Sequence, residues 1–260
     1  MKRFFFVLCS IVLVMAACAT ATGNVTGVQD ITGGIGIVVD ASVVNKNTIG
    51  RDDFSMPDNR AIATLAGSAA ADALARKGYT TAGPVVTIAG ARLDAKDKYA
   101  VTDMEGKKIE APEAIQPPFM VEPAIPDTAR ANIGPLFKSL YTTPGSVSKQ
   151  LSTVNPAHLD VAEGGGAILA VICAGRIPSG GSRAAAIGTA FVAVIAATAG
   201  ASTDVKGEVR TQSTAEIYLI DRRNGATLWH DAVEAHDVSP AFFADAVGKM
   251  LEKLPPPRNP

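Results

Sequence analysis

The side chains best equipped for chemistry in this 260-residue chain are few, with three histidines and three cysteines among them. His230 and His236 lie six apart, with Asp221, Asp231 and Asp237 nearby. Even spacing on a strand puts both imidazoles on one face, an arrangement a metal ion could use. At about 3.3 Å per residue, however, they stand about 20 Å apart on an extended strand, so one ion cannot be shared unless the chain bends. The pair reads as solvated strand-end histidines, and His158 stands alone in a polar loop. Gly175-Arg176-Ile177-Pro178-Ser179-Gly180-Gly181-Ser182 comes within one residue of a phosphate-binding loop. The missing residue is the lysine, whose charge such a loop places on the phosphates. Gly181 occupies its position and Arg183 comes one residue late, so the stretch reads as a glycine-rich turn between a strand and a helix. Gly33-Gly34-Ile35-Gly36 lacks the third glycine of a dinucleotide fingerprint and precedes its strand instead of following it. No Ser/His/Asp order, no Cys/His pair with metal spacing and no distinctive carboxylate pair is present. The sequence therefore assigns no catalytic, cofactor-binding or metal-binding residue, and no enzymatic activity.

The cysteines divide more clearly. Lys2 and Arg3 form a positive start, Phe4 to Met15 are almost wholly apolar, and Ala16-Ala17-Cys18 follow. That order is a secretory signal peptide, and a run of about a dozen residues is too short to span a bilayer core that needs roughly 20. Val14-Met15-Ala16-Ala17-Cys18 resembles the lipobox of bacterial lipoproteins, with Met15 a less usual residue at the apolar position. The resemblance implies cleavage before Cys18 and acylation of its thiol with palmitate-type chains. Ala19 stands where an inner-membrane retention signal would place Asp, so the periplasmic side of the outer membrane is expected. Cys9 leaves with the signal and Cys18 is acylated. Cys173 is then left without an intramolecular partner, and within Ala167 to Ala174 it reads as a small buried hydrophobe.

Removal of residues 1–17 leaves 243 residues (260 minus 17), enough for one large domain. The formal net charge is −1 and no Lys/Arg run points to nucleic acid. Aromatics make up only 5%, so the core must rely on small side chains and close backbone approach.

The elements that would position these residues follow from periodicity. Residues 18–33 are expected to be a flexible tether, and residues 34–254 a single periplasmic domain, with 255–260 as a tail. Ile35 to Val44 predicts a buried strand and Asn45 to Asn59 a loop. A helix capped by Asp58 or Asn59 should run through Ile62, Leu65, Ala66, Ala69 and Ala73 to Gly78, and Val85 to Ala89 should form a second strand. Residues 94–127, charged and then proline-rich, are expected to be an irregular insertion. Thr128 to Leu151 shows weaker helical periodicity, interrupted at Pro135 and Pro144. Ala167 to Ala174, Glu208 to Asp221 and Ala226 to Glu234 read as strands, the last two joined at Asn224-Gly225, a strong hairpin signal. Ser239-Pro240 should start an amphipathic helix, which Pro255 stops. The fold class is therefore α/β: a mixed sheet flanked by helices, with a C-terminal β-hairpin followed by an amphipathic helix.

Ala184 to Ala201 carries no charge. As a helix it would present a nearly continuous face of small residues, which lets backbones approach closely. It could pack on its own sheet, touch membrane or another subunit, or form a mobile glycine/alanine-rich loop.

Ala215-Glu216-Ile217-Tyr218-Leu219-Ile220-Asp221, a turn with Asn224-Gly225, and Ala226-Thr227-Leu228-Trp229 form a strand ending in Asp, a glycine turn and an apolar-Trp strand. Over about residues 34–90 and 165–254 the chain resembles lipoproteins related to the curli-secretion lipoprotein, the penicillin-binding-protein activators and the amino-terminal domain of TolB. The resemblance implies an α/β fold with a mixed sheet and two flanking helices, and work by binding and assembly without catalytic residues. Residues 94–160 and the alanine-rich run stand outside it. The expectation is a lipid-anchored envelope accessory or assembly protein that meets an envelope partner or another copy of itself. The alternatives are an oligomeric pore or secretion component, and a metal-dependent envelope hydrolase using His230, His236 and nearby aspartates. Trp229 and the C-terminal helix stripe are expected in the core.

Overall fold

The computed structural model describes residues 27–47, 50–109, 115–140, 153–163, 165–178 and 211–258. These form an open mixed sheet of eight strands with helices on both faces, the α/β class expected. β1 (Ile35–Lys46) and β6 (Ala167–Pro178) run parallel through the middle, and every residue of β1 pairs across to β6. β7 (Gln212–Asp221) and β8 (Thr227–Ala235) continue the sheet antiparallel on that side. On the other edge of β1, two strands share the length. β3 (Val86–Ala89) runs parallel to residues 38–41, and β2 (Asp52–Ser55) antiparallel to residues 44–45. β4 (Tyr99–Thr102) extends β2, and β5 (Met120–Glu122) extends β3.

Alternation sorts β1 between two cores. Ile35, Ile37, Val39, Ala41 and Val43 face α1 (Met56–Arg76) and α3 (Pro240–Glu252), with Trp229 and the stripe Phe243, Val247, Met250 and Leu251. Val38, with Ile168, Ala170, Ile172 and Ile220, faces α2 (Asp127–Leu140) through Ile133, Leu136 and Phe137. Strands buried on both faces read as the continuous apolar runs seen in the sequence. Trp229 is 1% exposed and Cys173 is buried, as expected.

Several boundaries differ from the sequence reading. α1 begins at Met56, capped by Ser55 with Pro57 in its first turn, where proline is preorganised. Residues 45–59 were expected to be loop, yet they contain β2 and this helix start. Asn59, expected as a cap, instead accepts from Val43 N (2.8 Å) and donates to Val43 O (3.0 Å) and Ser55 O (2.9 Å). It thereby satisfies the backbone of β1 between the ends of β3 and β2. The insertion at 94–127 is not irregular throughout, since it supplies β4 and β5. α2 continues through Pro135. Residues 27–33 of the expected tether are docked: Val28 is fully buried within a short 3-10 turn (Val28–Asp30). β6 runs on to Pro178, so Gly175 sits in a ladder opposite Ser213, not in a turn. Cys18, the rest of that glycine-rich stretch and Ala184 to Ala201 lie outside the described residues.

Candidate functional site

Two acidic residues lie inside apolar strands. Asp40 of β1 and Glu216 of β7 both pair with Ile172 of β6, one from each side. Their side chains share the α2-side face of the sheet, about two strand spacings or 10 Å apart. Asp40 is 0% exposed and Glu216 8%.

Arg92 stands between them. β3 ends at Ala89, and Gly90 (φ +87°) turns the chain back over β1, its N–H donating to Ala41 O. This brings Ala91 N within 2.8 Å of Asp40 Oδ1 and the guanidinium within 3.8 Å of Glu216 Oε1. Ser42, two residues along β1 and so on the same face, donates to Asp40 Oδ2 at 2.8 Å. Tyr218, likewise two along β7, donates to Glu216 Oε2 at 2.7 Å. The Tyr218 ring stacks on His230 of β8 with centroids 4.4 Å apart. Residues 40, 42, 92, 216, 218 and 230 thus make one polar row drawn from β1, the turn after β3, β7 and β8.

Burial raises the Asp40 carboxyl to about 6, while bonds from Ser42 and Ala91 and the charge of Arg92 hold it from rising further. Burial also pushes His230 below its ordinary value, against the opposing pull of Glu216 and Asp231, which favours the neutral imidazole. Its Nε2 is buried with no hydrogen-bond partner among the described residues. The row can therefore hold a proton on Asp40 in mildly acidic conditions and keep a guanidinium shared between two carboxylates. These are properties of a buried network that fixes the strands and the Gly90 turn relative to one another.

Asp40 gives a testable pH dependence. Its folded carboxyl titrates near 6 and its unfolded one near 3.8. Between those values the folded chain holds the extra proton, so stability falls as pH rises through the window, by on the order of 3 kcal/mol for two pH units. Asp40→Asn should remove this loss. In urea unfolding the variant is expected to gain on the native protein at pH 7.5 and to lose that advantage below pH 4. Parallel curves at both pH values would refute the assignment.

The residues considered from sequence for metal chemistry are not brought together. His230 is partly buried against Tyr218, contrary to its expected solvation, whereas His236 is exposed with Nδ1 2.7 Å from Thr211 O. Asp231 points to the opposite face and is paired with Lys253 at 2.7 Å. Asp221 is held below the usual carboxylate range by its hydrogen bond from Arg223, and Asp237 accepts from Ser239 N. His158 belongs to a 3-10 turn (Pro156–Leu159) near α2. Among the described residues no three His, Cys, Asp or Glu side chains are grouped to hold a metal ion, and no helix is long and apolar enough to cross a membrane. Burial raises the Cys173 thiol well above its ordinary value.

The carboxylate pair was absent from the sequence reading. The available signal was a charge inside each apolar strand, Asp40 within Ile35 to Val44 and Glu216 before Ile217. Such a charge is nearly always partnered. A second feature lies past the end of β1, where Arg51, Lys96 and Lys98 line a shallow hollow over Tyr99 and Phe119. Comparison with protein-family models, curated proteins and solved structures found no match to this chain.

Proposed function

We propose that this protein is a lipid-anchored accessory or assembly protein of the bacterial cell envelope. Acyl chains on Cys18 hold it to the periplasmic side of the outer membrane, and it acts by binding an envelope partner or further copies of itself, without catalysis. The observation that carries the reading is the N-terminal order Lys2-Arg3, Phe4 to Met15, Ala16-Ala17-Cys18. Two acyl chains, at about 0.8 kcal/mol per buried methylene, give stable attachment where one gives only marginal binding. Support for binding as the mode of action comes from the resemblance to binding and assembly lipoproteins carried by Ala215 to Trp229.

Expressed with its own N-terminus, the protein is expected to incorporate labelled palmitate and to float with membranes in a density gradient. Cys18→Ser should abolish both. Flotation and labelling that persist in the variant would overturn the anchor. For the binding half, detergent-solubilised protein is expected to migrate above the mass of a mature monomer of residues 18–260 or with a stoichiometric envelope protein. A bare monomer without a companion would overturn it.

A further inference from the structure

Where the chain enters the domain fixes which way the domain faces. Gly27 lies beside the start of β8, where a Cβ on it would stand 3.5 Å from Leu228 Cδ2, and the next residue, Val28, is fully buried. This entry is clipped to the chain's other end. Arg258 donates from Nε to Gln29 Oε1 (3.0 Å) and from Nη1 to Asp30 Oδ1 (3.2 Å), while Tyr79 Oη donates to Pro255 O at 2.7 Å. Gly27–Gly34, the Arg222–Ala226 turn and Pro255–Arg258 all lie at the pole where β1, β6 and β8 begin.

Nine peptide links separate Cys18 from Gly27, a reach of at most about 32 Å whatever their conformation. β1 alone, with 12 residues, is about 36 Å long, and the loops around Arg51 and Ala95 lie past its far end. The link is therefore too short to turn that far end onto the membrane. Among the described residues Leu65, in the middle of α1, is the exposed large apolar side chain. At the entry pole the exposed side chains Asp30, Asp160, Arg223 and Arg258 are charged and ion-paired, which suits a headgroup zone but not insertion into hydrocarbon.

We infer that the pole formed by Gly27–Gly34, the Arg222–Ala226 turn and Pro255–Arg258 faces the lipid bilayer at headgroup level. The opposite pole, with the Arg51, Lys96 and Lys98 hollow, faces away from the membrane. This rests on the lipid-anchored reading above. The test attaches a fluorophore to Pro256→Cys or to Ala95→Cys in the full-length acylated protein, both positions being exposed. Cys173 is buried and its thiol unreactive, so it takes no label. The protein is bound to phosphatidylethanolamine/phosphatidylglycerol vesicles that carry a headgroup-quencher lipid. Quenching at residue 256 is expected to exceed that at residue 95 several-fold, with Thr32→Cys and Lys98→Cys, both exposed, as a second pair. A flexible insert of twenty residues after Ala19 should shrink the difference. Equal or reversed quenching overturns the orientation. Failure of the wild-type protein to float with the vesicles, as Cys18→Ser should fail, overturns the anchor reading itself.

Discussion

Arg92→Leu should destabilise the protein by about 3–5 kcal/mol at pH 7.5, because it removes one partner from a buried charge group and leaves the others uncompensated. The guanidinium and the Glu216 carboxylate are each only 10% exposed, and Asp40 beyond them is closed to solvent. Water therefore cannot replace the lost cation. Without Arg92 the Asp40 carboxyl loses the cation that lowers it and holds its proton to higher pH in the folded state. The deficit should accordingly shrink as pH falls through 6 toward 4, where Asp40 is already protonated. Adding Glu216→Gln to Arg92→Leu should recover part of the loss, and that coupling separates a charge effect from simple loss of packing. Urea midpoints at pH 7.5 and 4.5 for the single and double variants decide the matter. A deficit independent of pH, with strictly additive variants, would mean that Arg92 serves only as filler.

Gly225→Ala is expected to cost at least about 3 kcal/mol, of which roughly 1–2 is the left-handed backbone penalty. Gly225 has φ +71°, and a Cβ there would sit 1.7 Å from Val154 O. Val154 cannot retreat cheaply, because its N–H donates to Gly225 O at 2.8 Å and its side chain is fully buried. For a domain of this size the loss corresponds to a fall of about 6–12 °C in Tm. Ala226→Gly, at the next residue, is the control and should move Tm far less. Similar Tm values for the native protein and Gly225→Ala would show that the residue-154 segment yields freely.

These two positions also mark how far the sequence could be read. The strands β1 and β6, the β7–β8 hairpin and α3 were legible because each carries a long apolar run or local cap signals such as Ser239-Pro240. Asn224-Gly225 was legible as a turn, but not its form. Asp221 N–H donates to Ala226 O, closing a loop of the four residues 222–225, and the glycine is required as much by Val154 as by its dihedral angle. β4 and β5, at four and three residues, are too short to show alternation, so 94–127 read as irregular. Pro57 looked like a loop residue because a first-turn proline and a loop proline are the same letter. The ionic row was hidden for a different reason. Residues 40, 92, 216 and 230 meet only through sheet register, and nothing local to any one of them announces the others. Charges placed inside β1 and β7 were the visible trace.

The β1–β6 ladder has a consequence for how this chain comes to be folded. Each pair in it joins residues 132 positions apart, from Ile35 with Ala167 to Lys46 with Pro178 (167 minus 35). β1 has no partner on that side until roughly the first 178 residues have emerged from the ribosome. Pairings this remote in sequence also form slowly once available, since the loop they close must be ordered before contacts reward it. The central ladder of the finished sheet is thus closed only after more than half of the chain has been made.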